Sequence, residues 1–434
     1  MLPDPRLTLH RTRLGDVVLD GPTRLEGNTL AIDPTTLAQL AREAAGDPVA
    51  EVQIELARPG EDARIVHVLD ALPALAASDG PAFAGFLGPP RPTPSGTLHT
   101  FDNLAILTCA AMPWGAGGLL IAREALIDMR GPLAGLSPFG NTLNVILRID
   151  LMRDHAEVEY EAAVRRLGLA VADALGRVAA TSQTSASMEY GLGPVDASLP
   201  KIVYIYQVHS QGLFARTYLY GKELDGMVPT VMHPNELKAG ALVSGNYVYA
   251  SFKTPTWLHV HNPIVERLML GHGRQHAFAG IVVSRGHHYS AWDKERSANI
   301  AAHQAWLLGA NGVALTWEGG GNSITDAMLT IRACERLGLK TAAVAYEMGD
   351  EDAADVVLLD SVPEADALVS TGSTKRGVVL PRIERILGGD SLRLRPELGG
   401  EYVPAEGPLE IDTPYMLYCS AGQTGFGTLA GVAY

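Results

Sequence analysis

Cysteine is scarce in this 434-residue chain: Cys109, Cys334 and Cys419 are far apart and form no CxxC pair. That excludes a disulfide framework and a thiolate zinc site, so any metal would have to be held by histidine and carboxylates. Dense runs of lysine or arginine are missing too. Acidic residues outnumber basic ones by 48 to 34, for a formal net charge of -14, which argues against a nucleic-acid partner. No apolar window approaches the length of a membrane span, and the opening "MLPDPRLTLHRTRLGD" has no apolar core of signal-peptide length. The expectation is a cytoplasmic protein with no membrane partner. Internal repeats, low-complexity tracts and the Walker and Rossmann glycine fingerprints are absent; "EGGGN" after "GVALTW" has the wrong spacing.

What is present is core-forming material, 47 % of the residues being hydrophobic, in a chain long enough for two or three domains. The fold class expected is α/β. Residues 1–150 read as an α+β domain rich in antiparallel sheet, with short strands between Pro/Gly turns and one helix, "PTTLAQLAREAA", capped by Asp33. Residues 151–195 read as a helix over 160–182 and a linker, "QTSASMEYGLGPVDASLP". From 196 to 434 apolar strands alternate with helices: "KIVYIYQV", "HAFAGIVVS", a helix from Lys294 to Leu308, "GVALTW", a helix from Ser323 to Leu337, "KTAAVAYE", "DVVLLD" and "ADALVS". Strands without polar alternation, spaced by helices, predict a mainly parallel sheet covered on both faces, with ligands at the carboxyl ends of its strands.

Nine of the thirteen histidines lie between His209 and His303. His209 follows one predicted strand, His287 and His288 follow another, and Glu318 follows a third. His259 and His261 form an HxH pair, which on an extended strand would point both imidazoles to one face, as a metal-binding pair needs. A lone strand-end histidine is more often structural, but several at one sheet edge, together with Glu318, suggest a metal site. Lys253 is a candidate amine nucleophile or carboxylate anchor, set against the commoner solvated surface lysine. Asp293 reads as the cap of its helix rather than as a catalytic acid.

The segments "PKIVYIYQVHSQGL", "TYLYG", "VPTVMHPNELKAGALVSGN", "HNPIVERLMLGHG", "DKERSAN", "WEGGGNSITD" and "ALVSTGS" resemble, in order, the processed subunit of component B of glycine/sarcosine/betaine reductases, with D-proline reductase as a relative. "ARPGEDARIVHVLD" and "IDMRGPLAGLSPF" extend the resemblance into the first half. In that family the proprotein is cut at an Asn-Cys bond, and the cysteine becomes a pyruvoyl group that captures an amine for reductive carbon-nitrogen cleavage. A second cysteine follows four residues later. Here the matching positions are Asn246, Tyr247 and Ser251. Tyrosine has no thiol to receive its neighbour's acyl group, so neither cleavage nor a pyruvoyl group is expected. His209 stands where the family has glutamine and His261 where it has asparagine, and His287 and His288 are additions. His259 and Glu318 match family positions.

The resemblance implies an enzyme without pyruvoyl that acts on a carbon-nitrogen bond of a small amine, amino acid or amide. A divalent ion, zinc or iron, held by His209, His259, His261, His287 and His288, would supply the electrophile. Lys253, Glu318 and Tyr247 form the expected catalytic set, with Asn246, Ser251, Gln211 and Asn322 as further pocket residues. Two other readings stay open: a non-catalytic or scaffold subunit of a multi-subunit reductase, and reductive cleavage with a thiol or selenol from a partner. The partners expected are a small-molecule substrate and either further copies of the chain or a second reductase-family subunit.

Overall fold

Strand-forming runs in the first half build a mixed six-stranded sheet in the computed structural model, which describes residues 5–92, 95–112, 125–131, 133–183, 186–347, 358–372, 377–394, 402–411, 416–426 and 432–433. The 14-residue strand Gly96–Cys109 is its centre. Val68–Ala77 runs antiparallel to it, while Leu7–Thr12 and Leu143–Leu151 run parallel to its first and second halves. Val49–Ala57 closes one edge antiparallel to Leu143–Leu151. The other edge is Ala186–Tyr190, antiparallel to Leu7–Thr12, so the stretch read as a linker contributes a strand. Its polar alternation, "ASMEY", suits a sheet edge, and the small residues around it disguise that pattern.

The helix Glu157–Ala180 lies across this sheet, burying Leu167, Val171 and Leu175 at helical spacing. It touches closely at Gly176, where a Cβ would come within 2.3 Å of the Leu75 backbone. Asp33 caps Pro34–Ala45 as expected, its carboxylate accepting from the N–H groups of Thr35 and Thr36.

The second half forms a seven-stranded sheet in the order Thr230–Met232, Ala277–Gly286, Lys201–His209, Gly312–Trp317, Lys340–Ala345, Leu368–Ser370 and Val432–Ala433. The five inner strands are parallel and the two outer ones antiparallel. Ala291–Leu307 and Asn322–Arg336 pack on one face through a core of small and aliphatic side chains. The first of these helices begins before Lys294 because Ser290, not Asp293, is the cap. The Ser290 hydroxyl accepts from the Asp293 N–H and donates to the Asp293 carboxylate. The expected strand "DVVLLD" falls partly outside the described residues, and its last three residues are not strand.

A late segment of the chain returns to the first half in a separate three-stranded sheet. Arg385–Leu387 runs parallel to Ala63–Val66, whose Arg64 is wholly buried. Its guanidinium pairs with Asp128 at 2.6 and 2.9 Å and donates to the carbonyls of Ala405 and Pro381. A buried charge stays folded only when satisfied in this way.

Candidate functional site at the carboxyl edge of the parallel sheet

Three parallel strands end together, and their register decides which side chains meet. His209 is in register with Gly286, and Gln207 with Trp317, so His209, His287 and Glu318 emerge side by side. All three are buried. The His209 and His287 rings lie 4.1 Å apart between centroids, with the Tyr249 ring 4.8 Å from His209. Both ring nitrogens of His209 and Nε2 of His287 are buried with no hydrogen-bond partner among the described residues. His287 adopts φ 63° to reach this position.

Gly319 is what lets the two imidazoles approach. A Cβ there would lie 2.7 Å from Nε2 of His287 and 3.0 Å from Nδ1 of His209, and its φ of +90° is one that other residues rarely adopt. Gln423 holds this glycine from a distant segment, accepting from its N–H at 3.0 Å and donating to its carbonyl at 3.2 Å.

Glu318 anchors rather than projects. One carboxylate oxygen accepts the His209 backbone N–H at 2.9 Å; the other accepts the Asn246 amide and the Thr254 N–H, each at 3.0 Å. Burial, opposed by these hydrogen bonds and by Lys253, pushes its pKa up to about 7. Burial likewise holds His209 neutral, well below the usual imidazole range, and His287 down to about 4.

Lys253 is buried and donates to the carbonyls of Leu69 and Asn246. Its ammonium lies over the Tyr418 ring at 5.0 Å and the Tyr247 ring at 5.9 Å. Burial lowers its pKa, and Asp70 works against that shift. Asp70 comes from the first sheet, its own pKa raised to about 6 by burial, and it accepts from the hydroxyl and N–H of Thr256. Tyr247 is buried beside Lys253, its N–H donating to the Phe214 carbonyl at 2.6 Å and its hydroxyl pushed well above its ordinary value by burial. The Ser251 hydroxyl and the side-chain oxygen of Gln211 are buried with no partner among the described residues.

The HxH pair is not a pair. His259 and His261 sit on and just after a short helix, Thr256–Val260, and not on a strand. A two-residue step there turns about 200°, so the rings diverge. Nδ1 of His259 meets the Tyr206 hydroxyl at 2.8 Å, whereas Nδ1 of His261 meets the Trp257 carbonyl at 2.9 Å. His288 also turns away, with Nδ1 2.7 Å from Asp326, which Lys294 also contacts. The Asn322 amide donates to the His288 carbonyl at 3.1 Å.

Among the described residues no three His, Cys, Asp or Glu side chains converge as a metal-binding group. An ion at the sheet edge would find two imidazoles, His209 and His287, where a catalytic zinc site takes three protein ligands. Glu318 is turned to the His209 and Thr254 N–H groups and the Asn246 amide and does not complete a group of three with the two imidazoles. The donor set therefore fits zinc or iron poorly.

A family model described as "Glycine/sarcosine/betaine reductase component B subunits" matches residues 5–431. The glycine reductase complex component B subunits alpha and beta of Acetoanaerobium sticklandii are 29 % identical to this chain, over 99 % of it and 100 % of the relative. The sarcosine reductase complex component B subunit alpha of Peptoclostridium acidaminophilum is 31 % identical over 88 % of this chain and 89 % of its own. The betaine reductase complex component B subunit alpha of the same organism is 27 % identical, covering 92 % of each. No solved structure matches. Among the described residues no helix is long and apolar enough to cross a membrane.

Proposed function

The chain belongs to the glycine/sarcosine/betaine reductase component B family, and from that premise we propose that it binds a small amine or amino acid at the carboxyl edge of its parallel sheet, for reductive carbon-nitrogen cleavage without a pyruvoyl group. One observation carries this reading: two buried, neutral imidazoles in contact, with ring nitrogens that have no hydrogen-bond partner among the described residues, at the sheet edge where such folds place ligands. A neutral imidazole nitrogen accepts from a substrate ammonium, and the Tyr249 ring beside it offers an aromatic face to the same cation.

Converting a C–N bond to C–H and N–H takes two electrons and two protons. Cys109, Cys334 and Cys419 are all buried, and burial pushes each thiol up, away from the reactive thiolate. The electrons therefore come from a thiol or selenol on a partner subunit. The metal reading is the weaker one, since only two donors meet.

Titration calorimetry with glycine, sarcosine and betaine tests the site. Binding of at least one compound carrying an N–H, weakened tenfold or more in His209→Ala, is expected, with betaine weakest because it has no N–H to donate. No binding, or binding unchanged in the variant, replaces this reading with a scaffold subunit. Stoichiometric zinc or iron lost on the same substitution would restore the metal reading.

Processing is tested separately. The purified protein is expected to remain one polypeptide of 46.1 kDa, because Tyr247 cannot begin an acyl shift. Two fragments meeting at the Asn246–Tyr247 bond in an intact-mass spectrum would refute this.

A further inference from the structure

The helix Ala291–Leu307 presses Ala298, Ala301, Ala302 and Ala305 onto the parallel sheet and turns its other face outward. That outer face carries Trp292, Glu295, Asn299, His303 and Trp306, all exposed and three or four residues apart along one side of the helix. Trp292 is 82 % and Trp306 50 % exposed, a large apolar surface turned to solvent. Concavities flank Asn299. One, of about 510 Å³, lies beside Trp292, Glu295 and Arg296. The other, of about 630 Å³, runs toward the helix Asn322–Arg336 between Leu307, Leu329 and Leu337.

We propose that this face is the interface between two copies of this chain, the helix packing antiparallel on its counterpart with Asn299 on the two-fold axis. A two-fold there sets each residue against the one equally far beyond Asn299. Trp292 and Trp306 are seven positions either side, so the Trp292 indole of one copy meets the Trp306 indole of the other, which its own chain stacks on His303 with ring centroids 5.5 Å apart. Glu295 and His303 are four positions either side, so each carboxylate meets an imidazole N–H. Arg332 holds one oxygen of Glu295 at 2.8 Å and leaves the second for that contact. The Asn299 amide gives one N–H to the Glu295 carbonyl of its own helix at 2.8 Å and keeps its second N–H and its oxygen for the same residue of the other copy. This mirror order of aromatic, charge and amide is what an isologous contact requires. A different partner would not require it, which is why a second copy is the occupant.

Sedimentation of the full-length protein at micromolar concentration is expected to show a dimer. Asn299→Arg places two guanidinium groups at the axis and is expected to give a monomer with unchanged circular dichroism. Asn299→Cys is expected to form an interchain disulfide on mild oxidation, the three native cysteines being buried. A wild-type monomer overturns the proposal, and one that associates only when a reductase partner is added assigns the face to that partner. A dimer that survives Asn299→Arg, with no cross-link through Cys at 299, places the interface elsewhere and equally overturns it.

Discussion

Glu318→Ala is expected to lower the unfolding free energy by about 2–4 kcal/mol at pH 7, read as a drop in the urea midpoint. Two effects compete. The substitution orphans three buried donors, the His209 and Thr254 N–H groups and the Asn246 amide, each of which costs about 1–3 kcal/mol when left unsatisfied. Against this, a carboxylate whose pKa is raised from 4.5 to about 7 is itself disfavoured in the fold, and removing it returns roughly 3 kcal/mol. The orphaned donors win because there are three of them, on the strand end at His209 and at both ends of the Asn246–Thr254 loop, and one carboxylate serves them all. Their separation displaces His209 and the Asn246–Thr254 loop, so substrate affinity falls with stability. A variant as stable as the parent would show that water replaces the carboxylate and that Glu318 is not the clamp of this site.

That clamp shows where sequence reading reaches and where it stops. The apolar runs "KIVYIYQV" and "HAFAGIVVS", with the helices between them, define a parallel sheet, and the ends of such runs place His209, His287 and Glu318 at one edge. Strand ends are local features, and local pattern carries them. The HxH pair misleads because its meaning depends on the backbone period. Pro255 stands at the start of its helix, whereas Asn262–Pro263 starts the next one, Pro263–Gly271, so the HxH pair lies between two helix starts. The partners of Lys253 are a different case. The Leu69 carbonyl lies 184 residues away on the first sheet, next to Asp70, and no spacing within either segment points to the other. Gln423 on Gly319 is likewise a contact made only by the folded chain.

Lowering the pH from 7 to 5 is expected to destabilise the protein by about 2 kcal/mol or more, contrary to what its acidic composition suggests. Burial holds His259 at about 3 and His261 and His287 at about 4, against 6.5 in the unfolded chain. Groups depressed in this way give stability that is full above pH 6.5 and is lost as pH falls toward their folded values, because only the unfolded state takes up the protons. Over these two pH units the three imidazoles together remove roughly 5 kcal/mol. Glu318 and Asp70 act in the opposite sense. Raised to about 7 and about 6, they contribute stability that is full below their unfolded values near 4 and is lost as pH rises through 6 and 7. Acidification to pH 5 therefore returns roughly 3 kcal/mol through them. The imidazoles win, and His209, also held neutral by burial, adds to the loss. The measurement is the pair of urea midpoints at pH 7 and pH 5, repeated in His259→Gln, where one titrating ring is gone and the gap is expected to narrow by about 2 kcal/mol. A midpoint that rises on acidification would mean that these rings take up protons within the fold, and with it would go the neutral imidazole pair on which substrate binding is argued to rest.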